Sequence, residues 1–141
     1  MMPVSIKATQ MAPGRERRQY PMAKILIVDD SPTQMANMIK IVESHGHKTV
    51  TATNGMEGVD KAKSELPDLI LMDVVMPELN GFQATRKITK DPATQHIPVI
   101  LVTTKDQDTD KVWGERQGAK AYLVKPVQEN ELISKVNELL G

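Results

Sequence analysis

Five short apolar runs, each separated from the next by a stretch with helical spacing, constrain this chain more than any other feature. They are KILIV (24–28), KTVTA (48–52), LILM (69–72), VILVT (99–103) and AYLV (121–124). The runs are rich in β-branched residues, and those reading ILIV or VILV are apolar on both faces. Strands of a parallel sheet covered on both sides read this way. Between them, Met35, Met38, Ile39 and Val42 recur at i, i+3, i+4 and i+7, and Leu132, Val136, Leu139 and Leu140 form the stripe of a last helix. Five strand–helix units joined by right-handed crossovers predict a doubly wound α/β fold around a five-stranded parallel sheet.

Boundary signals agree. Ser31-Pro32-Thr33-Gln34 offers a hydroxyl N-cap, a proline at the first helical position and a glutamine three residues on, the parts of a capping box. Asn54-Gly55 and Asn80-Gly81 open the second and third helices, and Gly46 closes the first. The segment DQDTDKVWGERQ (106–117) predicts a weaker helix. Its large apolar residues are Val112 and Trp113 alone, and Gly114 in a helix interior costs about 1 kcal/mol relative to Ala. So little to bury fits either a movable element or a solvated, static surface helix.

Composition narrows the function classes. The 141 residues hold 18 basic and 18 acidic side chains, so the basic surplus of a nucleic-acid binder is missing. The Lys61/Lys63 and Arg86/Lys87/Lys90 groups read as solvated helix faces. With no cysteine, disulfides, zinc–thiolate sites and thiol catalysis are excluded, and a reducing cytoplasm is the expected location. No apolar run approaches the roughly 20 residues of a membrane helix. Residues 1–21 carry Lys7, Arg15, Arg17 and Arg18 against Glu16 alone, with three prolines and no periodicity. They are expected to be a disordered extension, ahead of one domain over residues 22–141 with no output domain. Met35, Met38, Met72 and Met76 are expected in the core, and His45, His47 and His96 on the surface.

Open α/β sheets bind ligands outside the carboxyl ends of their strands. Asp29 and Asp30 follow the first run, Asp73 follows the third, Thr103 ends the fourth and Lys125 follows the fifth. Singly, each has an ordinary explanation as a cap, a turn former or a solvated lysine. Together they predict a site. Two unit charges 4 Å apart repel by about 4 kcal/mol at an effective dielectric near 20. Crowded carboxylates therefore require a retained proton or a cation. All-oxygen ligands favour a hard ion, and a small open site suits Mg²⁺ with retained waters. Carboxylates, Mg²⁺, a hydroxyl and an ammonium suit a phosphoryl group better than a carbonyl.

ILIVDDSP, LILMDVVMPELNG, VILVTTK and GAKAYLVKP, in this order and spacing, resemble the receiver domain of two-component response regulators. The resemblance implies a flavodoxin-like fold with strand order 2-1-3-4-5, and Asp73 as phosphoacceptor. It further implies direct Mg²⁺ ligation by Asp30, Asp73 and the Val75 carbonyl, with Asp29 acting through water. Thr103 and Lys125 would hold the phosphoryl oxygens, and the Lys125–Pro126 bond would be cis. Thr103 and Tyr122 would couple phosphorylation to the face built from the fourth helix, fifth strand and fifth helix. Such a domain is a switch that catalyses its own phosphorylation and reset, and is not a metabolic enzyme.

Within the family, GFQATRKITKD (81–91) and residues 102–126 are similar to stand-alone regulators of the chemosensory systems that govern type IV pili and twitching motility. The implied partners are a histidine kinase of a chemosensory array and the pilus machinery or a sister regulator, with the chain itself a monomer. Nucleic acid and membrane insertion are not expected. Alternative readings are a phosphate-independent adaptor and a phosphate sink for another chemosensory pathway. An aspartate-nucleophile hydrolase would want a second acid two residues after Asp73, where Val75 stands.

Overall fold

The computed structural model describes residues 23–141. Residues 1–22, with the expected disordered extension, lie outside the described residues. Each apolar run forms a strand over the same residues: β1 (Lys24–Val28), β2 (Lys48–Ala52), β3 (Leu69–Met72), β4 (Val99–Thr103) and β5 (Ala121–Val124). All pairs are parallel, in the order β2-β1-β3-β4-β5. β1, β3 and β4 are the interior strands and are the runs without polar interruption. β2 and β5 form the edges, and their polar or half-buried residues fit that position.

Strand alternation sends Leu26, Val28, Ile70, Met72, Val99 and Leu101 to one face, and Ile25, Ile27, Leu69, Leu71, Ile100 and Val102 to the other. Helices α2 (Gly55–Glu65) and α3 (Gly81–Lys90) cover the first face, while α1 (Pro32–Ser44) and α5 (Glu129–Leu140) cover the second. Helix α4 (Asp108–Arg116) lies on the first face, touching Leu101 and Tyr122.

The expected caps are present. The Ser31 hydroxyl accepts from the Gln34 N–H, and the Asn54 and Asn80 side chains accept from the N–H groups of Glu57 and Gln83. Gly46, at φ +91°, follows the end of α1 in a conformation that an L side chain rarely adopts.

Two details differ from the sequence expectation. In α1, Met35, Met38, Ile41 and Val42 are buried and Ile39 is half-buried. The helix seats on a wider stripe than the four-residue pattern marks. His47 is buried, because the turn after Gly46 folds it inward; its own N–H bonds the Val42 carbonyl, and its Nδ1 has no partner among the described residues. Burial, reinforced by the neighbouring His45, holds its pKa below the ordinary histidine value. In α4, Val112 and Trp113 are 49% and 50% exposed, and the one buried residue is Gly114.

Candidate functional site

The strand order reverses between β1 and β3, so the connections leaving these neighbours diverge to opposite faces and open a crevice at their carboxyl ends. Asp29 and Asp30 leave β1 there, and Asp73 leaves β3. The Asp29 N–H bonds the Ala52 carbonyl at 3.1 Å and the Asp73 N–H bonds the Val28 carbonyl at 2.9 Å, so the ladder continues into both acids. Carboxylate oxygens of Asp29, Asp30 and Asp73 lie within 4.8 Å of one another. Asp29 is 1% exposed and Asp73 is 6% exposed, whereas Asp30 faces solvent.

Lys125 supplies the countercharge. Its Nζ donates to Asp29 Oδ2 at 2.7 Å and stands 3.6 Å from Asp73 Oδ2. A third neighbour, which sequence reasoning assigned to a helix cap, is the Gln34 Oε1, and it also accepts from this ammonium. Asp29 is held from its other side by the Ser31 N–H, donating to Oδ1 at 2.8 Å. Burial pushes the Asp73 carboxyl above the usual carboxylate range. Lys125 opposes the shift, Asp29 adds to it, and the N–H groups of Val75 and Val74 favour the anion.

Thr103 is fully buried at the end of β4, and its carbonyl accepts from the Lys125 N–H at 2.8 Å, tying the two strand ends together. Its hydroxyl accepts from the Lys105 N–H at 3.3 Å. Val75 is exposed, with its N–H 3.4 Å from Asp73 Oδ1. The Lys125–Pro126 bond is cis, as the resemblance implied.

Tyr122 stands away from the acids. Its hydroxyl donates to the Lys105 carbonyl at 2.8 Å, and the Lys105 ammonium lies 3.6 Å from Asp110 in the first turn of α4. Lys105 therefore bridges Thr103, Tyr122 and α4. Burial, together with the carboxylates of Asp110, Asp106 and Asp73, pushes the Tyr122 phenol up to about 12. Sequence spacing showed Lys105 only as a neighbour of Thr103. Its bonds to Thr103 and Tyr122 run through backbone atoms, which carry no residue signature.

The match to the model of the response regulator receiver domain covers residues 25–137. The chain belongs to this family. Protein PilH of Pseudomonas aeruginosa is 60% identical over 120 residues, spanning 85% of this chain and 99% of that protein. The chemotaxis protein CheY4 of Vibrio cholerae has a structure with a TM-score of 0.79 at 30% identity, covering 84% of this chain and 98% of that one. The receiver domain of a Pseudomonas aeruginosa sensor histidine kinase gives a TM-score of 0.79 at 28% identity, covering 85% and 98%. That structure carries a magnesium ion coordinated in its active-site cleft. The chain is thus a PilH-like receiver, with the fold of the chemotaxis receivers. Receiver domains bind Mg²⁺ at an acidic cluster and take phosphoryl groups from histidine kinases, and the all-oxygen donor set of this crevice fits such a hard ion.

Proposed function

We propose that this receiver accepts a phosphoryl group from the phosphohistidine of a partner kinase onto Asp73. The observation that carries the reading is the convergence of three carboxylates within 4.8 Å, with the Lys125 ammonium 2.7 Å from one and 3.6 Å from another. An Asp73 oxygen forms the new bond to phosphorus as the nitrogen–phosphorus bond of the donor breaks. The freed imidazole keeps the electron pair and takes a proton from water. Asp30, Asp73 and the Val75 carbonyl would hold Mg²⁺ directly, with Asp29 acting through water. The bound ion supplies positive charge against the phosphoryl oxygens and the crowded acids. Lys125 neutralises phosphoryl charge from the opposite side, and the Thr103 hydroxyl donates to a phosphoryl oxygen.

Recruiting the Thr103 hydroxyl draws it from the Lys105 N–H. Lys105 also holds the Tyr122 hydroxyl and lies beside Asp110, so the disturbance reaches β5 and α4, two parts of the face that α5 would complete. A helix with one buried residue offers little resistance. This is the output by which a PilH-like receiver in a bacterial cytoplasm would act in a chemosensory pathway controlling type IV pili and twitching. The supports for that pathway are the likeness of residues 81–91 and 102–126 and the identity to PilH.

Intact mass after incubation with Mg²⁺ and acetyl phosphate tests the chemistry. A labile single-phosphoryl adduct is expected on the native protein, absent without Mg²⁺ and absent from Asp73→Ala. An adduct that persists in Asp73→Ala would mean another acceptor. In the bacterium that carries the protein, Asp73→Ala is expected to change the twitching zone on a surface, and an unchanged zone would remove the pathway assignment.

A further inference from the structure

Two helices of this chain begin alike, with a polar N-cap and a glutamine three residues later. At α3 the box closes both ways: the Gln83 N–H donates to Asn80 Oδ1 at 2.9 Å, and Gln83 Oε1 accepts from the Asn80 N–H at 2.9 Å. At α1 only the first half forms, from the Gln34 N–H to the Ser31 hydroxyl at 3.3 Å. The return bond is blocked because the Ser31 N–H already donates to Asp29 Oδ1 at 2.8 Å. The Gln34 side chain is thereby released from capping, and it accepts from Lys125 Nζ, 91 residues away.

An ammonium has three donors. Here Asp29 Oδ2 and Gln34 Oε1 take two of them, and the group stands 3.6 Å from Asp73 Oδ2. We infer that Gln34 is a positioning residue for phosphoryl transfer: with Asp29 it fixes the Lys125 ammonium so that the third donor faces the phosphoryl group arriving at Asp73.

The lysine stem has four rotatable carbons, and one remaining anchor leaves the head free to swing. Beyond Gln34 and Lys125 lies a cleft of about 480 Å³, lined on its polar side by Thr33, Asn37 and Thr104. An unanchored ammonium can move out into it. Holding the charge in place before reaction removes that reorganisation from the barrier. Gln34 itself forms no bond to phosphorus and moves no proton. The inference rests on Asp73 being the acceptor.

The test compares initial rates of Mg²⁺-dependent phosphorylation by saturating acetyl phosphate, read by intact mass, in a double-mutant cycle. Gln34→Met keeps length and removes the acceptor. It is expected to slow transfer roughly tenfold, the lower end of what a lost hydrogen bond to a charged group is worth. Gln34→Glu restores an acceptor oxygen and is expected to recover most of the rate. In a Lys125→Met background, Gln34→Met should change nothing further, because the group it acts through is gone. A Gln34→Met rate within about twofold of native overturns the inference, as does equal slowing in the Lys125→Met background or a Glu variant as slow as Met. A native protein that takes no phosphoryl group removes the acceptor reading together with this one. A native adduct with an indifferent Gln34 removes this one alone.

Discussion

Helices α3 and α4 lie on the same face of the sheet and have 10 and 9 residues, yet they are held in opposite ways. α3 buries Phe82, Ala84, Thr85 and Ile88, and its start is closed by a two-way capping box. α4 buries Gly114 alone, and its two large apolar residues are half-exposed. The sheet contact of α4 is made by the absence of a side chain: a Cβ on Gly114 would stand 2.7 Å from Leu101 Cδ1 and 3.1 Å from Tyr122 Cδ2. One helix is pinned to the sheet by buried side chains, and the other rests on it through a glycine.

The largest predicted contrast comes from a methyl group added to each. A Cβ on Gly81 would fall 2.0 Å from the Asp73 carbonyl oxygen and 2.7 Å from Val74 Cα, both backbone atoms that cannot turn aside. Gly81→Ala is expected to cost more than about 4 kcal/mol in chemical denaturation, and to suppress phosphorylation of whatever folds. Gly114→Ala meets side-chain atoms of Leu101 and the Tyr122 ring, which must shift, and about 1 kcal/mol of helix propensity offsets part of that, so its loss should fall well below that of Gly81→Ala. Equal losses in the two variants would break the comparison.

Truncation in the two helices gives the next contrast. Ile88→Ala should cost about 2–5 kcal/mol as a cavity opens under α3. Val112→Ala and Trp113→Ala should fall within about 0.5 kcal/mol of native. A large loss at Trp113 would show that α4 is anchored after all.

Much of this was legible in the sequence, for physical reasons. A strand buried on both faces must be apolar throughout, so β1, β3 and β4 announced themselves, and the acids after β1 and β3 with the lysine after β5 marked the crevice. What stayed hidden depended on contacts without a local pattern. The burying face of α4 could not be read because a glycine makes it, and Gly114 had looked like a cost alone. Gln34 reads as a cap in the sequence, but Asp29 occupies the Ser31 N–H and the Gln34 side chain turns to Lys125. His47 is expected on the surface, but the turn that ends α1 folds it inward. Thr103, Tyr122 and Lys105 are joined through the Lys105 backbone.

Cap removal sharpens the comparison on a smaller scale. Asn80→Ala should cost about 1 kcal/mol, since it opens the box of α3. At α4 the Gln107 N–H reaches Asp110 Oδ2 at 3.3 Å, a bond its own side chain does not make. Gln107→Ala should therefore cost only a few tenths, roughly the size of an ordinary surface substitution.

The smallest effect is a pH dependence beneath α4. Tyr122 titrates near 12, above the ordinary tyrosine value of 10.0, so the fold favours the neutral phenol. Its contribution to stability is intact below about 10 and is lost as pH rises through about 12, because the unfolded chain releases the proton first. Ultraviolet difference absorbance between the native protein and Tyr122→Phe should show this late titration. A midpoint near the ordinary value would mean that α4 does not cover the ring.

Hydrogen exchange read by mass spectrometry, with and without Mg²⁺ and acetyl phosphate, tests the central claim most directly. Amides of residues 108–116 should exchange at least about tenfold faster than those of 81–90 before phosphorylation. Phosphorylation should then change residues 104–116 and leave 81–90 as they were, with no change at all in Asp73→Asn. Equal exchange in the two helices, or a response that survives in Asp73→Asn, would contradict the account.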